Sequence, residues 1–445
     1  MSAEQSARSV SHAEGVDKVR ALQRVLYRSA KQDRNRRFHA LYDKVARSDV
    51  LWRAWSDVRS NRGAPGVDGI TIDAIEESGV REFLDVLAAE LGAKTYRPAT
   101  LRRAHIPKAS QPGATRPLGI PCVRDRVVMT AAKLVLEPIF EADFLSVSFG
   151  FRPKRHAHMA LEAIRVQANR GAEWVLDADI AACFDEIDHE ALMAQVARRV
   201  WDRDLLKLLR AWLRVGVFEG GVVSKSEAGT PQGSPLSPLL ANIALHVLDE
   251  EWGAMARRPG VLVRYADDFV VICPTRERAE QARDQVIAIL GRLGLRLHPD
   301  KTRIVHLARG ADGFDFLGFH HRMKESPKQR GRYFLQKWPS RRAMASIRAT
   351  VRDHTARRYA SLPLETAVEH LNPVLRGWGA YFRHGNSSRK FNAIDAYVAE
   401  RLATLASVKH GLSGRNWTTR FTYEWLTSLG IHRLAGTVRY WSAHA

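Results

Sequence analysis

The spacing of apolar positions predicts a chain of alternating strands and helices with helical segments at both ends. Between Val16 and Arg47 apolar residues recur at helical spacing among many Lys and Arg side chains, which indicates a basic amphipathic helix. Turn-forming residues from Gly63 to Gly69 separate this arm from the rest. From Leu101 to Leu307 short β-rich runs alternate with amphipathic helices, a pattern typical of α/β or α+β domains. The last hundred residues look mainly helical.

Five elements are predicted in the centre of the chain. They are a strand at Trp174–Ile180, a helix at Ser237–Met255, a hairpin at Val261–Cys273, a helix at Glu277–Leu293 and a strand at Leu295–Leu307. In the first helix Ser237 is expected to be the N-cap and Pro238 the first helical residue. This order predicts an antiparallel sheet crossed by helices.

Composition adds a strong charge preference. Lys plus Arg number 69 against 48 Asp plus Glu, a net charge of +21, which favours a nucleic acid partner over a merely soluble basic protein. The three cysteines, Cys122, Cys183 and Cys273, show no paired spacing, so neither disulfides nor structural zinc are expected. Neither a signal peptide nor an apolar run of about 18 residues is apparent, which predicts a cytosolic protein without a membrane partner.

The stretch from residue 321 to 358 concentrates this charge. It contains twelve Lys or Arg against Glu325 and Asp353, with three aromatic residues interleaved. Positive charge combined with aromatic rings suits a nucleic-acid-facing element.

Two acidic segments carry the candidate chemistry. In the predicted hairpin, Asp267 and Asp268 lie at the tip between apolar arms, where adjacent carboxylates are costly unless a cation such as magnesium binds them. An ordinary Asp-Asp turn is the alternative. In the preceding strand Asp177 and Asp179 share one face, and alternation does not choose between them. If either lies beside the tip, the carboxylates could bind two ions about 3.5 to 4 Å apart for phosphoryl transfer.

Several motifs, in a shared order, resemble those of reverse transcriptases. Tyr265-Ala-Asp-Asp268 resembles the Tyr-x-Asp-Asp box of that family, in the Ala form typical of group II intron proteins. The segment 179–189 resembles the first aspartate motif, and 229–242 resembles the Pro-Gln-Gly motif. Further resemblances lie at 106–108, 116–121, 124–126, 148–153, 299–302 and 314–318.

The resemblance implies an α+β fold of the right-hand polymerase type. Fingers and a palm with a ferredoxin-like antiparallel sheet would be followed by a helical thumb and a maturase domain X. The implied domains are a basic helical N-terminal extension at 1–62, fingers and palm at 63–320, the thumb at 321–365, and domain X with a short tail at 366–445.

The same resemblance assigns roles to site residues. Asp179, Asp267 and Asp268 would be the catalytic carboxylates and, with the Ile180 carbonyl, would bind two Mg²⁺ ions, Mn²⁺ being an alternative. Asp177 would be structural or would support the metal ligands without binding the ions itself. Contacts to the incoming dNTP are implied for Lys108, Arg116, Phe184, Gln232 and Lys301.

Each of these nucleotide contacts has a specific expected role. Lys108 and Arg116 would close over the triphosphate, although cations on hairpins usually face solvent. Phe184 would exclude a ribose 2′-hydroxyl, or else be a core aromatic. Gln232 would lie against nucleotide and template, or else satisfy loop backbone groups. Lys301 could protonate the departing pyrophosphate, or be an ordinary lysine at the end of a strand.

The C-terminal run from residue 371 to 395 resembles domain X of group II intron proteins. It implies RNA contacts by Arg376, Trp378, Tyr381 and Arg383. On the residues alone, the run is a basic amphipathic helix with packed aromatics that would suit any nucleic-acid thumb. The implied partners are intron RNA, an RNA template with a DNA primer, dNTPs and a DNA target, with a homodimer as one assembly state.

The implied function is that of an RNA-directed DNA polymerase that also assists intron splicing and retrotransposition in the bacterial cytoplasm. Many relatives end in a zinc-supported His-Asn-His endonuclease, which is not expected here because paired cysteines are lacking. Three alternatives remain: a splicing cofactor without polymerase activity, a related reverse transcriptase in a defence or spacer-acquisition system, and a nucleotidyl cyclase on a related palm. The intact acidic residues argue against the first, the domain X resemblance against the second, and the basic thumb against the third.

Overall fold

The structure is a computed structural model. It describes residues 3–107, 115–219, 222–224, 229–230, 233–307, 311–326, 329–411 and 421–440. Two predicted site residues, Lys108 and Gln232, lie outside these ranges. The chain divides into two compact units. The first comprises Met1–Ala160, Leu176–Val271 and Glu277–Arg303, and the second Leu161–Val175, Ile272–Arg276 and Ile304–Ala445.

Helices and strands alternate through most of the chain. The helices are α1 (Ala3–Gln32), α2 (Tyr42–Val45), α3 (Ser48–Ser60), α4 (Ile72–Ser78), α5 (Val80–Gly92), α6 (Val123–Glu141), α7 (Ala157–Asn169), α8 (Cys183–Glu186), α9 (His189–Ala197), α10 (Arg203–Leu213), α11 (Ser237–Ala254), α12 (Arg276–Gly291), α13 (Arg341–His354), α14 (Leu364–Phe382), α15 (Ser388–Lys409) and α16 (Tyr423–Ser428). The strands are β1 (Leu101–Pro107), β2 (Thr115–Ile120), β3 (Trp174–Asp179), β4 (Val217–Glu219), β5 (Val222–Ser224), β6 (Val261–Tyr265), β7 (Asp268–Cys273), β8 (Arg303–His306), β9 (Phe314–Phe316), β10 (Phe319–Ser326) and β11 (Gln329–Pro339).

The helical core of the first unit is built around α6, most of whose side chains are buried. Helices α1 and α3 pack against it. The basic helix predicted over residues 16–47 is correct only as far as Gln32. Asp33 Oδ1 then accepts a hydrogen bond from the Asn35 amide at 2.8 Å, a side-chain turn that competes with helix continuation. Phe38 next pairs with Val200 in an isolated bridge, so the prediction is wrong beyond the turn.

Two four-stranded sheets carry Arg116, Asp179 and Asp268. One has the order β2-β1-β4-β5, and its β1/β2 hairpin is antiparallel from Arg102↔Ile120 to Pro107↔Thr115. The other has the order β6-β7-β3-β8, with helices between β3 and β6 and between β7 and β8. The predicted strand at 174–180 and the hairpin at 261–273 are both confirmed.

Two details of the central prediction are wrong. Leu236, in a right-handed helical conformation, precedes α11, and Ser237 is the first residue of the helix rather than its N-cap. The strand expected over 295–307 is limited to β8, because a turn intervenes in which the Lys301 amide donates to the His298 carbonyl at 3.3 Å. That turn sets the backbone position of Lys301.

The second unit contains the sheet β9-β10-β11 and helices α13 to α16. A helical thumb was expected from residue 321, but residues up to 339 form β10 and β11, and helix begins only at Arg341. In β11 the buried positions Leu335, Lys337 and Pro339 alternate with more exposed ones, the period of a strand rather than of a helix. The mainly helical character predicted for the last hundred residues is confirmed.

Among the described residues, the helices lack the combination of length and apolar character that crossing a membrane requires.

Candidate active site

The tip of the β6/β7 hairpin consists of Ala266 and Asp267. Ala266 has a φ of 59°, in the left-handed region that residues with a side chain rarely adopt. This conformation closes the hairpin in two residues, so that β7 starts directly at Asp268. Both acidic residues therefore lie where the chain reverses.

Asp177 and Asp179 lie on one face of β3 but have different partners. Arg303 Nε donates to Asp177 Oδ2 at 3.0 Å, whereas Lys301 Nζ donates to Asp179 Oδ2 at 2.6 Å. The Asp179 carboxyl also lies close enough to Asp268 to raise the pKa of that residue. The structure therefore brings Asp179 to the hairpin tip and pairs Asp177 with an arginine, which resolves what strand alternation left open.

Negative charge is crowded at this tip. The Asp268 side chain is open to solvent on one side, yet the protein atoms around its carboxyl and the charges of Asp267 and Asp179 raise its pKa to about 7. Burial and the Asp179 carboxylate also raise the pKa of Asp267, opposed by the positive charges of Arg116 and Lys301. Carboxylates this close do not all ionise readily without a cation or a shared proton.

The carboxylates do not form a preassembled ligand cage. Within the described part of the chain, no three Asp, Glu, His or Cys side chains have the mutual spacing of a metal centre. Lys301 donates to Asp179 and so supplies positive charge at the tip. Ile180 forms an isolated bridge with Leu297 through hydrogen bonds of the residues flanking it, and neither bond uses the Ile180 carbonyl.

The hairpin tip is held from behind by a buried ion pair. Arg264 and Asp249 are both 0% exposed, and the guanidinium donates through Nε and Nη2 to the two carboxylate oxygens. Arg264 Nη1 donates to Asn242 Oδ1 and to the Ala266 carbonyl, each at 3.0 Å. Burial alone would raise the pKa of Asp249, but the Arg264 charge holds it below its usual value. This cluster thus fixes the strained peptide that precedes Asp267.

The residues of this cluster were not among those predicted from the sequence. Its signal is Arg264, a charged residue inside the otherwise apolar strand β6, whereas Asp249 is followed in α11 by Glu250 and Glu251 and does not stand out. A charged residue is almost never fully buried unless it is paired, so Arg264 predicts a partner. The partner's identity, however, depends on which helix covers the sheet.

Known families match the segments that build this site. The family model described as reverse transcriptase (RNA-dependent DNA polymerase) matches residues 106–321, and that of the group II intron maturase-specific domain matches residues 344–423. Protein YkfC of Escherichia coli is 35% identical over 353 residues, which cover 71% of this chain and 90% of YkfC. The chain belongs to the group II intron reverse transcriptase/maturase family.

More distant relatives of this group II intron reverse transcriptase are longer. The group II intron-encoded protein LtrA of Lactococcus lactis is 30% identical over 353 residues, 65% of this chain and 57% of LtrA. This chain thus spans little more than half of LtrA. Among solved structures, telomerase from Candida albicans aligns with a TM-score of 0.42 at 13% identity, covering 75% of this chain and 64% of that one.

The described part of the Pro-Gln-Gly motif packs against the short helix α8. The Thr230 amide donates to the Phe184 carbonyl at 2.6 Å, and His189 Nε2 lies 2.7 Å from the Gly229 carbonyl oxygen. Gly229 has a φ of 87°, and a Cβ there would lie 2.6 Å from the Phe184 carbonyl oxygen, so only glycine fits. The position of the half-buried Phe184 is therefore fixed relative to this loop.

The predicted triphosphate contacts are only partly described. Arg116 lies exposed on β2, opposite Ile106 of β1, close enough for its charge to lower the pKa of Asp267. Lys108 and Gln232 fall outside the described residues. The role of all these nucleotide contacts, Lys301 included, stays a prediction.

The predicted RNA contacts of the maturase segment lie at the end of α14. Trp378 packs on Phe382 at a ring-centroid distance of 4.8 Å, and the Tyr381 hydroxyl donates to the Leu317 carbonyl at 2.8 Å. Arg376 is exposed, while the Arg383 carbonyl accepts from the Arg439 amide at 2.9 Å. These contacts give both aromatic rings a packing role within the second unit, and an RNA-binding role for the four residues stays a prediction.

A methyl group added at Gly150 is expected to displace the hairpin tip. A Cβ there would lie 2.4 Å from the Ala266 backbone nitrogen, and backbone cannot move aside as a flexible side chain can. The Gly150→Ala variant is expected to lose at least about tenfold in polymerase rate, since small misplacements of reacting groups cost up to about a hundredfold. The measurement is primer extension on an RNA template, with Gly92→Ala, where nothing lies within 4 Å, as the control. Equal rates for Gly150→Ala and wild type would contradict the tight packing.

Proposed function

We propose that this chain is the RNA-directed DNA polymerase of a group II intron and that it also binds intron RNA to assist splicing and retrotransposition. The observation that carries the proposal is the adjacency in one sheet of β3, which ends at Asp179, and β7, which starts at Asp268, within the segment that matches the reverse transcriptase family. It joins carboxylates from two distant segments of sequence. Nucleotidyl transfer on metal ions requires such convergence.

The fold we propose is that of a right-hand polymerase with a ferredoxin-like palm. The strand order β6-β7-β3-β8, with one helical connection before the hairpin and one after it, supports this assignment. The proposed domains keep the ranges 1–62, 63–320, 321–365 and 366–445, the thumb now beginning with the β10/β11 hairpin.

We propose that Asp179, Asp267, Asp268 and the Ile180 carbonyl bind two Mg²⁺ ions, with Mn²⁺ as an alternative. The donor set fits these ions because it consists of hard oxygens, and because the raised pKa of Asp268 reflects surplus negative charge that a cation would neutralise. Bound ions would supply charge neutralisation at the primer 3′-hydroxyl and at the departing pyrophosphate.

The side chains around the carboxylates would bind the nucleotide. Arg116, with Lys108, would neutralise the triphosphate, in keeping with the electrostatic reach of Arg116 to Asp267. Phe184 would lie under the deoxyribose and exclude a 2′-hydroxyl, and Gln232 would contact nucleotide and template. Lys301 would be released from Asp179 when that carboxylate binds a metal ion. It would then donate a proton to pyrophosphate.

The maturase segment is proposed to bind intron RNA. Arg376 and Arg383 would contact phosphates, and Trp378 and Tyr381 would stabilise the end of α14 that presents them. The remaining proposed partners are the DNA primer, the DNA target and a second copy of this chain as a homodimer. We propose the bacterial cytoplasm as the location, in keeping with the bacterial relatives.

Two assays test this function with the full chain. The first follows extension of a DNA primer on an RNA template with dNTPs and Mg²⁺, with a reaction lacking Mg²⁺ as the control. The second follows splicing of the catalytic intron RNA expected to flank the reading frame. Splicing assistance without any extension would favour the alternative of a splicing cofactor and would overturn the polymerase proposal.

The stability of the metal-free protein is expected to respond to pH through Asp268. A carboxyl whose pKa is raised to about 7 in the folded state favours folding below its unfolded pKa, and that contribution is lost as the pH rises through about 7. The melting temperature of Asp268→Asn relative to wild type is therefore expected to increase between pH 5 and pH 8 in chelator. Added Mg²⁺ is expected to stabilise wild type more than the variant. If the difference in melting temperature between the two proteins does not change with pH, the claim that neighbouring negative charges raise the pKa of Asp268 is wrong.

A further inference from the structure

Phe151 is an apolar residue in a position that neither burial nor backbone preference explains. Its ring is 55% exposed, and its φ is 53°, in the left-handed region. For a bulky residue this conformation is a strained outlier. Glycine or asparagine would occupy the position with less strain, so the phenylalanine ring must have another use.

The surrounding loop enforces this conformation from both sides. Arg152 is buried and donates to both carboxylate oxygens of Glu141, at 2.9 and 2.8 Å, and to the Ser148 carbonyl at 2.7 Å. On the other side, the Gly150 carbonyl accepts from Asn242 Nδ2 at 2.8 Å, and Gly150 itself abuts the backbone of the hairpin tip. The Phe151 ring is therefore presented in a fixed place relative to Asp267.

The ring lies beside the hairpin rather than away from it. Its centroid is 6.4 Å from that of Tyr265, two residues before Asp267, with the ring planes tilted by 44°. Two neighbouring aromatic rings thus flank the acidic tip. The loop continues in sequence into Lys154 and Arg155, which bring positive charge to the same loop.

We propose that Phe151 is a nucleic-acid contact of the polymerase site: its ring packs on a base or deoxyribose at the 3′ end of the primer, next to Tyr265. This inference rests on the proposed polymerase function and adds a binding residue to it. An exposed ring held against strain gains contact energy only when a partner covers it. A base or sugar offers the apolar face, and the adjacent basic residues suit its phosphates.

Two substitutions separate the ring from the backbone conformation. Phe151→Asn removes the ring but tolerates a left-handed φ, whereas Phe151→Tyr keeps both the ring and the strain. The measurements are the melting temperature, the affinity for a primer annealed to an RNA template, and the fluorescence of 2-aminopurine at the primer 3′ terminus. Wild-type protein is measured in parallel, with the duplex in the absence of dNTPs.

We expect Phe151→Asn to melt no lower than wild type and to bind the duplex about 5- to 100-fold more weakly, since stacking on an aromatic ring contributes about 1 to 3 kcal/mol per base. Its bound duplex is expected to show a different 2-aminopurine signal. Phe151→Tyr is expected to match wild type within about twofold, because the tyrosine ring offers the same stacking face.

Two outcomes overturn the inference. Wild-type affinity and fluorescence in Phe151→Asn would show that the ring contacts no primer, and a large fall in its melting temperature would show that the ring serves the fold. Failure of the proposed function is distinguishable from both. Wild-type protein that binds the duplex but never extends it refutes the polymerase proposal, while the binding comparison still decides the role of Phe151; wild-type protein that binds no duplex refutes both.

Discussion

Replacing Asp267 with alanine is expected to lower the rate of primer extension on an RNA template by about a thousandfold or more. Asp267 lies at the turn that faces Asp179, and both contribute to the raised pKa of Asp268. Removing one of the few oxygen ligands of a divalent ion forfeits several kcal/mol of charge stabilisation, and about 4 kcal/mol corresponds to about a thousandfold in rate. Single-turnover extension at saturating dNTP measures the loss directly.

Asp177→Asn is the matched control for this experiment. Asp177 lies on the same face of β3 as Asp179, but its carboxylate pairs with Arg303. Its substitution removes a negative charge from the same strand and is expected to slow extension far less than Asp267→Ala. Equal extension by wild type and Asp267→Ala would refute the proposed site. A loss in Asp177→Asn as large as that in Asp267→Ala would show that the proposal does not single out the correct acidic residue of β3.

Replacing Asp249 with alanine is expected to be the most destabilising single change near the site. Arg264 would remain fully buried without its carboxylate partner, and breaking a buried ion pair from one side costs about 3 to 5 kcal/mol. Urea unfolding measures this cost. Polymerase rate is expected to fall with it, because the guanidinium would no longer be oriented toward the Ala266 carbonyl.

A double variant distinguishes stability from positioning. In Asp249→Leu/Arg264→Met both charges are absent, and apolar replacement of a buried ion pair is often neutral or stabilising. Stability is therefore expected to recover largely. The polymerase rate is expected to stay low, since Asn242 and the Ala266 carbonyl still lack their donor. A double variant as active as wild type would show that Arg264 serves only the fold.

The pattern of apolar residues correctly predicted the elements in which the spacing of apolar residues matches the spacing of buried positions. The strand bearing Asp179 and the hairpin bearing Asp267 are where the alternation of apolar residues placed them. The predictions were wrong where polar contacts override local preference. The turn at Asp33 ends α1 early. The basic segment of β11 was assigned to a helical thumb by the resemblance to polymerases, and its alternation of buried and exposed positions forms a strand instead.

The sequence by itself determined the family to which this protein belongs. The order of the acidic, Pro-Gln-Gly and maturase motifs identified the family, because each motif is a local string that requires no fold to be recognised. It also restricted the acidic residue that β3 contributes to the site to two candidates, since a period of two puts Asp177 and Asp179 on one face.

The resemblance implied Asp179, but only the tertiary structure shows what brings it to the hairpin and what holds the tip in place. Strands β3 and β7 are neighbours in the sheet but far apart in sequence, so their register, and with it the pairing of Asp179 with Asp268, follows from packing. The same holds for the partners of Arg264, which come from α11 and from the tip itself. Local sequence encodes the direction of a side chain relative to its own strand, whereas its distance from a distant segment is set by how the whole core packs.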